Sequence, residues 1–222
     1  MKKLFDLTHL IDPDKAVRKF SVKMVGADEV NPDVIRLENQ WYIMHEISMV
    51  NHLGTHIETP YHLFKDKADL GSINAEHYTG PGVLVNLKHL PPKSAISKEE
   101  VEKAVEKAGG LKKGDIAFFN LGYSDLYGTD DYNNSPHFSN EAICWIVEKG
   151  IKIMGVDASG VEIPSSEDHV NHIALLGKNV LLIENLANLD SLPVNRFTVY
   201  AFPLCIKGMD SFPLRVIVEA DI

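Results

Sequence analysis

Residues 97–121, SKEEVEKAVEKAGGLKKGDIAFFNL, decide the fold class. Ser97 and Glu100 form a capping box, in which the hydroxyl accepts from the N3 amide while the carboxylate reaches back to the Ser97 N–H. Val101, Ala104, Val105 and Ala108 then recur at i, i+3, i+4 and i+7, and Gly109-Gly110 ends the pattern, so the segment predicts a helix. Ile116 to Leu121 follows as a buried strand. The same order repeats downstream. Ser139 caps a helix with apolar positions Ile143, Ile146 and Val147, and Gly150 stops it before IKIMGVD, a strand ending at Asp157. After a loop at Val161 to Ser166, a short helix around Asp168 to Leu176 ends at Gly177 and leads into the strand VLLIE, residues 180–184. Upstream, Trp41 to Val50, bounded by Asn39 and Asn51, and Val83 to Leu87 read as strands. Phe197 to Phe202 and Leu214 to Glu219 complete a β-rich α/β fold. Neither an internal repeat nor a Gly/Ser linker interrupts the pattern, so residues 1–222 are expected to form a single domain.

Composition fits a globular chain: of 222 residues, 45% are hydrophobic and 24% charged, proportions that exclude disordered and fibrous classes. Thirty-one acidic against twenty-two basic side chains give a formal charge of -9. That field repels phosphate backbones, and nucleic acid is not an expected partner. The apolar stretch before Asp6 is too short for a signal-peptide core, and the run from Val180 meets Glu184 after four residues, far short of the roughly 18–20 a membrane span needs. A cytoplasmic protein with no membrane partner is expected. Its two cysteines, Cys144 and Cys205, lack CxxC spacing and read as reduced core residues on a helix and a strand.

The chemistry concentrates in HLGTHIETPYH, residues 52–62, which holds three of the ten histidines. His52 and His56 have the i, i+4 spacing of a helical metal pair, but Gly54, the β-branched Thr55, Ile57 and Thr59, and then Pro60 argue against a helix. In extended chain, alternate side chains share a face, so His56 and Glu58 point the same way about 7 Å apart, near enough to reach one metal. Gly54 permits a bend that brings His52 to them, with His62 displaced beyond the Pro60 corner. Imidazole and carboxylate ligands suit zinc, manganese or iron, whereas calcium requires mostly oxygens. The competing reading is a chance cluster of loop histidines, each with an ordinary hydrogen bond. A second cluster holds Asp168, His169, His172 and Glu184. Glu184 continues an apolar run, where a carboxylate is costly to bury unless paired or coordinated; the alternative is that the strand emerges into solvent there. His169 and His172 share a helical face, one as a ligand and the other at the surface.

The string HLGTHIETPYH resembles the HxGTHxDxPxH signature of the metal-dependent cyclase family, to which bacterial kynurenine formamidase and isatin hydrolase belong. The likeness continues in Asp6-Leu7-Thr8-His9, in His172-Ile173-Ala174-Leu175-Leu176, and in Glu184-Asn185-Leu186 twelve residues after that histidine. It implies an α/β domain with a central, partly barrel-like mixed sheet flanked by helices, assembled as a homodimer or homotetramer. It further implies that His52, His56 and Glu58 bind a first metal, that His172 holds a second bridged by Glu58 and Glu184, and that His62 is the general acid/base. Glu58 stands where the family usually has Asp, one methylene longer. Residues 10–30 hold Phe20 but lack the Trp that kynurenine formamidases set against an aryl substrate.

These readings converge on a metal-dependent hydrolase that opens a small-molecule amide, lactam or related acyl bond, with zinc or manganese at one or two per chain. Such a metal acidifies water towards neutrality and polarises a carbonyl, while an imidazole such as His62 takes and returns a proton near neutral pH. The alternatives are a lyase or cyclase working through an enolate, and a non-catalytic structural or sensing metal centre. An unligated His62 speaks against the last, which needs no base beside it.

Overall fold

The computed structural model describes residues 1–162 and 167–222. The chain starts in β1 (Lys2–Asp6), then forms an antiparallel pair, β2 (Phe20–Gly26) and β3 (Ile43–Met49), with the short helix α1 (Ala27–Val30) following β2. β4 (His56–Glu58), β5 (Thr79–Asn86) and β6 (Ala95–Ile96) precede α2 (Lys98–Lys107), which is followed by β7 (Ile116–Asn120), β8 (His137–Phe138) and α3 (Asn140–Glu148). Next come β9 (Ile153–Val156), α4 (Val170–Leu176), β10 (Leu181–Glu184), β11 (Arg196–Tyr200), β12 (Ser211–Pro213) and β13 (Ile217–Asp221). Among the described residues, nine strands join in one sheet of order β1-β13-β11-β5-β7-β9-β10-β4-β12. The β5-β7-β9-β10 stretch is parallel and both flanks are antiparallel, giving the mixed, half-barrel sheet of an α/β fold.

Alternation along the strands builds two cores. On β7, Ala117 and Phe119 face α2, α3 and α4, packing with Val101, Ile143 and Leu175. Ile116 and Phe118 face the other way, against Ile57, Phe197 and Val218, as the period-2 pleat requires. The Ser97 box forms as read: the Glu100 N–H donates to Ser97 Oγ at 3.2 Å, and the Ser97 N–H to Glu100 Oε2 at 2.8 Å. Ser139 Oγ accepts from the Ala142 N–H at 3.2 Å to start α3.

Several boundaries differ from the sequence reading. The Asp168 helix begins only at Val170, because His169 adopts a left-handed φ of 47°. The run expected from Leu214 pairs only from Ile217, as β13. Part of the loop expected at 161–166 lies outside the described residues. Both cysteines are corrected: Cys144 and Cys205 are exposed, not core. Cys144 sits on α3 off the buried stripe of Ala142, Ile143 and Ile146, and Cys205 lies beyond the end of β11, outside any strand.

The β2-β3 pair stands apart from the main sheet and carries much apolar surface. Met24 is 54% exposed, Ile47 63% and the preceding Trp41 79%. No helix among the described residues is long and apolar enough to cross a membrane.

Candidate metal centre

The sheet register assembles the candidate ligands. β4 pairs antiparallel with β10, setting Glu184 opposite His56 and Leu182 opposite Glu58. Since Ile57 and Ile183 enter one core and Leu182 the other, His56, Glu58 and Glu184 share the helix-covered face. α4 packs there and buries His172. The extended reading of 56–58 is therefore what the chain adopts, and all three residues are buried. Gly54 makes the bend that returns His52: its φ is 61°, in the left-handed region that glycine enters without penalty. Gly160, with φ 153°, leaves room beside Glu184, because a Cβ there would lie 3.1 Å from Oε1.

Five contacts close the cluster. His56 Nε2 lies 3.5 Å from Glu58 Oε1 and 3.4 Å from Glu184 Oε2, and His172 Nε2 lies 3.4 Å from Glu58 Oε2 and 3.5 Å from Glu184 Oε1. His52 Nδ1 is 2.9 Å from Glu58 Oε1. His56 Nε2 and Glu58 Oε2 are buried without a hydrogen-bond partner, a costly arrangement unless something else satisfies them. Ligands about 2.0–2.1 Å from a tetrahedral ion stand roughly 3.3–3.4 Å apart, the spacing these atoms already keep. The residues fit a metal. Two groups meet at Glu58: His52, His56 and Glu58, and Glu58, His172 and Glu184.

The electrostatics agree. Burial opposes ionising Glu58, yet the imidazoles of His172, His52 and His56 around it hold its carboxyl well below the usual range. Burial would lower His172, but Glu162, Glu184 and Glu58 push it up to about 12. His52 is likewise opposed by burial and raised by Asp210 and Glu58 to about 9. Carboxylates this close demand positive charge, which protons supply here and a divalent cation would supply instead.

Surrounding groups fix the imidazoles. His56 Nδ1–H donates to the Gly54 carbonyl at 2.9 Å, leaving Nε2 for the cluster. His172 Nδ1–H donates to Glu162 Oε1 at 2.9 Å, and the same oxygen accepts its backbone N–H at 2.7 Å. Asn185, left-handed at φ 56°, donates to the Gly54 carbonyl at 2.9 Å and accepts from the buried Tyr132 hydroxyl at 2.8 Å. Tyr127 stacks on His9 at 4.2 Å and meets Tyr132 edge-on at 5.4 Å. Tyr127 and Tyr132 wall a cleft of about 300 Å³ that reaches His52 and Glu184 and has Arg18 and Asp130 at its lining. A separate cavity of about 460 Å³, lined by Pro60, His77 and Lys152, includes none of the cluster.

His62 stands beside this centre, its side chain 31% exposed. The one-turn helix after Thr59 carries it, and its ring lies 4.6 Å from that of His52 and 6.3 Å from that of His172. His169 is exposed, grouped with Glu162 and His172. Asp210, Glu162 and Tyr132 escaped the sequence reading. Asn185 was legible only as the residue following Glu184.

A half-barrel α/β sheet with a histidine–carboxylate cluster on its helix-covered face defines a class, and a family model described as "Putative cyclase" matches residues 5–163. The chain belongs to that family. Kynurenine formamidase of Bacillus anthracis is 24% identical over 174 residues, 78% of each chain. Isatin hydrolase A from Labrenzia aggregata, solved bound to benzyl benzoate, superposes with a TM-score of 0.85 at 24% identity, covering 99% of this chain and 94% of that one. A potential metal-dependent hydrolase with cyclase activity superposes at 0.75, with 24% identity and full coverage of both chains.

Proposed function

We propose that the protein is a metal-dependent hydrolase that opens a non-peptide C–N bond, an amide or lactam, or a related acyl bond, in a small molecule. The observation that carries this reading is the convergence of the buried His56, Glu58, His172 and Glu184 with the half-buried His52, with orphaned atoms on His56 and Glu58, beside an exposed His62. Its kinship with kynurenine formamidases and the fold shared with isatin hydrolase support the reaction class. His52, His56 and Glu58 would hold a first zinc or manganese, and Glu58, His172 and Glu184 would hold a second. When bound, the metal acidifies water and polarises the substrate carbonyl. His62 takes the proton of the attacking water and delivers it to the leaving nitrogen. Tyr127 and Tyr132 offer the bound molecule an aromatic wall.

The residues form one domain that works as a homo-oligomer, a dimer or tetramer, since the exposed apolar surface of β2, β3 and Trp41 suits burial against another copy. Cytoplasmic placement suits its two exposed thiols. A screen of N-formyl amines, lactams and lactones, with zinc or manganese and then with chelator, tests the assignment. Turnover of at least one class, abolished by chelator and restored by metal, is the expected result; no turnover with any of them at full metal loading overturns it.

A further inference from the structure

The geometry points to Asp210 as a positioning residue that serves two histidines at once, orienting His52 towards the metal and His62 towards the substrate. The inference rests on the ligand and proton-shuttle roles given above to those histidines. Asp210 lies more than a hundred residues from both, and the sheet brings it to them. β12 pairs with β4 so that Ser211 faces Glu58, which sets Asp210 against Thr59. Both the Thr59 N–H, at 2.8 Å, and its hydroxyl, at 2.9 Å, donate to the Asp210 carbonyl. The main chain at Asp210 is thus tied to the residue that follows ligand Glu58.

Its carboxylate is fully engaged. Oδ2 accepts from His52 Nε2–H at 2.8 Å and from His62 Nδ1–H at 2.8 Å. Oδ1 accepts from the Asn51 amide at 2.6 Å, and the same amide donates to the Ser211 carbonyl at 3.1 Å, so the carboxylate cannot turn freely. Each imidazole has two distinct nitrogens, and a proton fixed on one leaves the lone pair on the other. A proton on His52 Nε2 leaves Nδ1, the nitrogen beside Glu58, free to ligate. On His62, the proton at Nδ1 leaves Nε2 to accept from water or substrate. A carboxylate behind a metal-bound histidine typically contributes ten- to hundredfold in metal affinity; here one carboxylate also backs the base, so substrate-facing and metal-facing imidazoles are set by the same group.

Asp210→Asn is the test, because an amide cannot replace this carboxylate in either orientation. With its oxygen towards the histidines, its NH2 meets the Asn51 NH2, donor against donor; reversed, it meets both imidazole N–H groups. In zinc-loaded protein, long-range ¹H–¹⁵N spectra at a pH where the ring is neutral should show His62 protonated at Nδ1 in the wild type and shifted to the Nε2–H tautomer in the variant. Chelator competition should show zinc affinity reduced by roughly ten- to hundredfold. At saturating zinc, kcat should remain down by about tenfold or more with KM little changed. An unchanged His62 tautomer, zinc affinity within about threefold of wild type, or kcat fully restored by excess zinc each overturns the dual role. Should Asp210→Asn fail to fold, Asn51→Ala, which frees the carboxylate to rotate, is expected to move the same readouts in the same direction, and no movement there overturns the inference as well. If the wild type hydrolyses nothing, the hydrolase reading fails, while the tautomer and zinc competition still decide Asp210.

Discussion

Asn185→Ala perturbs the support of the metal centre while leaving every proposed ligand in place, and its cost can be worked from the contacts. The residue sits at φ 56°, where alanine costs about 1–2 kcal/mol. Its loss also strands the buried Tyr132 hydroxyl, which donates to Asn185 Oδ1 at 2.8 Å, at about 1–3 kcal/mol. Together these destabilise the metal-free protein by about 2–5 kcal/mol. For a chain of this size each kcal/mol moves Tm by about 2–4 °C, so thermal denaturation followed by circular dichroism should show a fall of roughly 4–20 °C. Tyr132→Phe alone leaves Asn185 Oδ1 without its donor at a similar cost, but the double variant leaves neither group stranded. Its destabilisation should fall short of additivity by about 1–3 kcal/mol. Additive effects, within about 0.5 kcal/mol, would refute the claim that Tyr132 and Asn185 act as one unit behind the cluster.

Further measurements bear on the remaining roles and on assembly. His62→Ala should retain its metal while losing turnover about a hundredfold or more, whereas His56→Ala should lose both; a metal-free His62→Ala would place His62 among the ligands, in the group it forms with His52 and Asp210. In metal-free protein the raised pKa values of His52, about 9, and His172, about 12, mean that zinc uptake near neutral pH expels protons, measurable by calorimetry in two buffers of different ionisation enthalpy. Because the His52 pKa rises on folding, its contribution to metal-free stability is full below about pH 6.5 and is lost as pH rises through about 9, so Tm should decline across that window. Light scattering at micromolar concentration should return a multiple of the 24.7 kDa chain mass; the monomer mass would contradict the oligomer reading.

What the sequence disclosed follows physical range. Ser97 with Glu100, and His56 with Glu58, are local patterns whose consequences lie within one turn or one pleat, and both take the form read from them. Glu184 was legible because a carboxylate closing an apolar strand requires a partner. Asp210 carried no such mark: its neighbours form a three-residue strand, too short for periodicity, and its meaning comes from pairing with β4. β6 and β8, two residues each, were invisible for the same reason, and the exposed apolar side chains of β2 conceal its alternation, whereas Trp41 to Val50 was legible as a strand and forms β3 over Ile43–Met49. Cys144 and Cys205 misled because small apolar character was taken for burial, while the α3 stripe and the end of β11 set their exposure.

Metal content tests the central claim most directly. Protein expressed with supplemented zinc or manganese should contain one or two ions per chain by elemental analysis, lose them to chelator and recover them on addition of the metal. Absence of any transition metal after such expression, with no uptake by the chelated protein, would contradict the account.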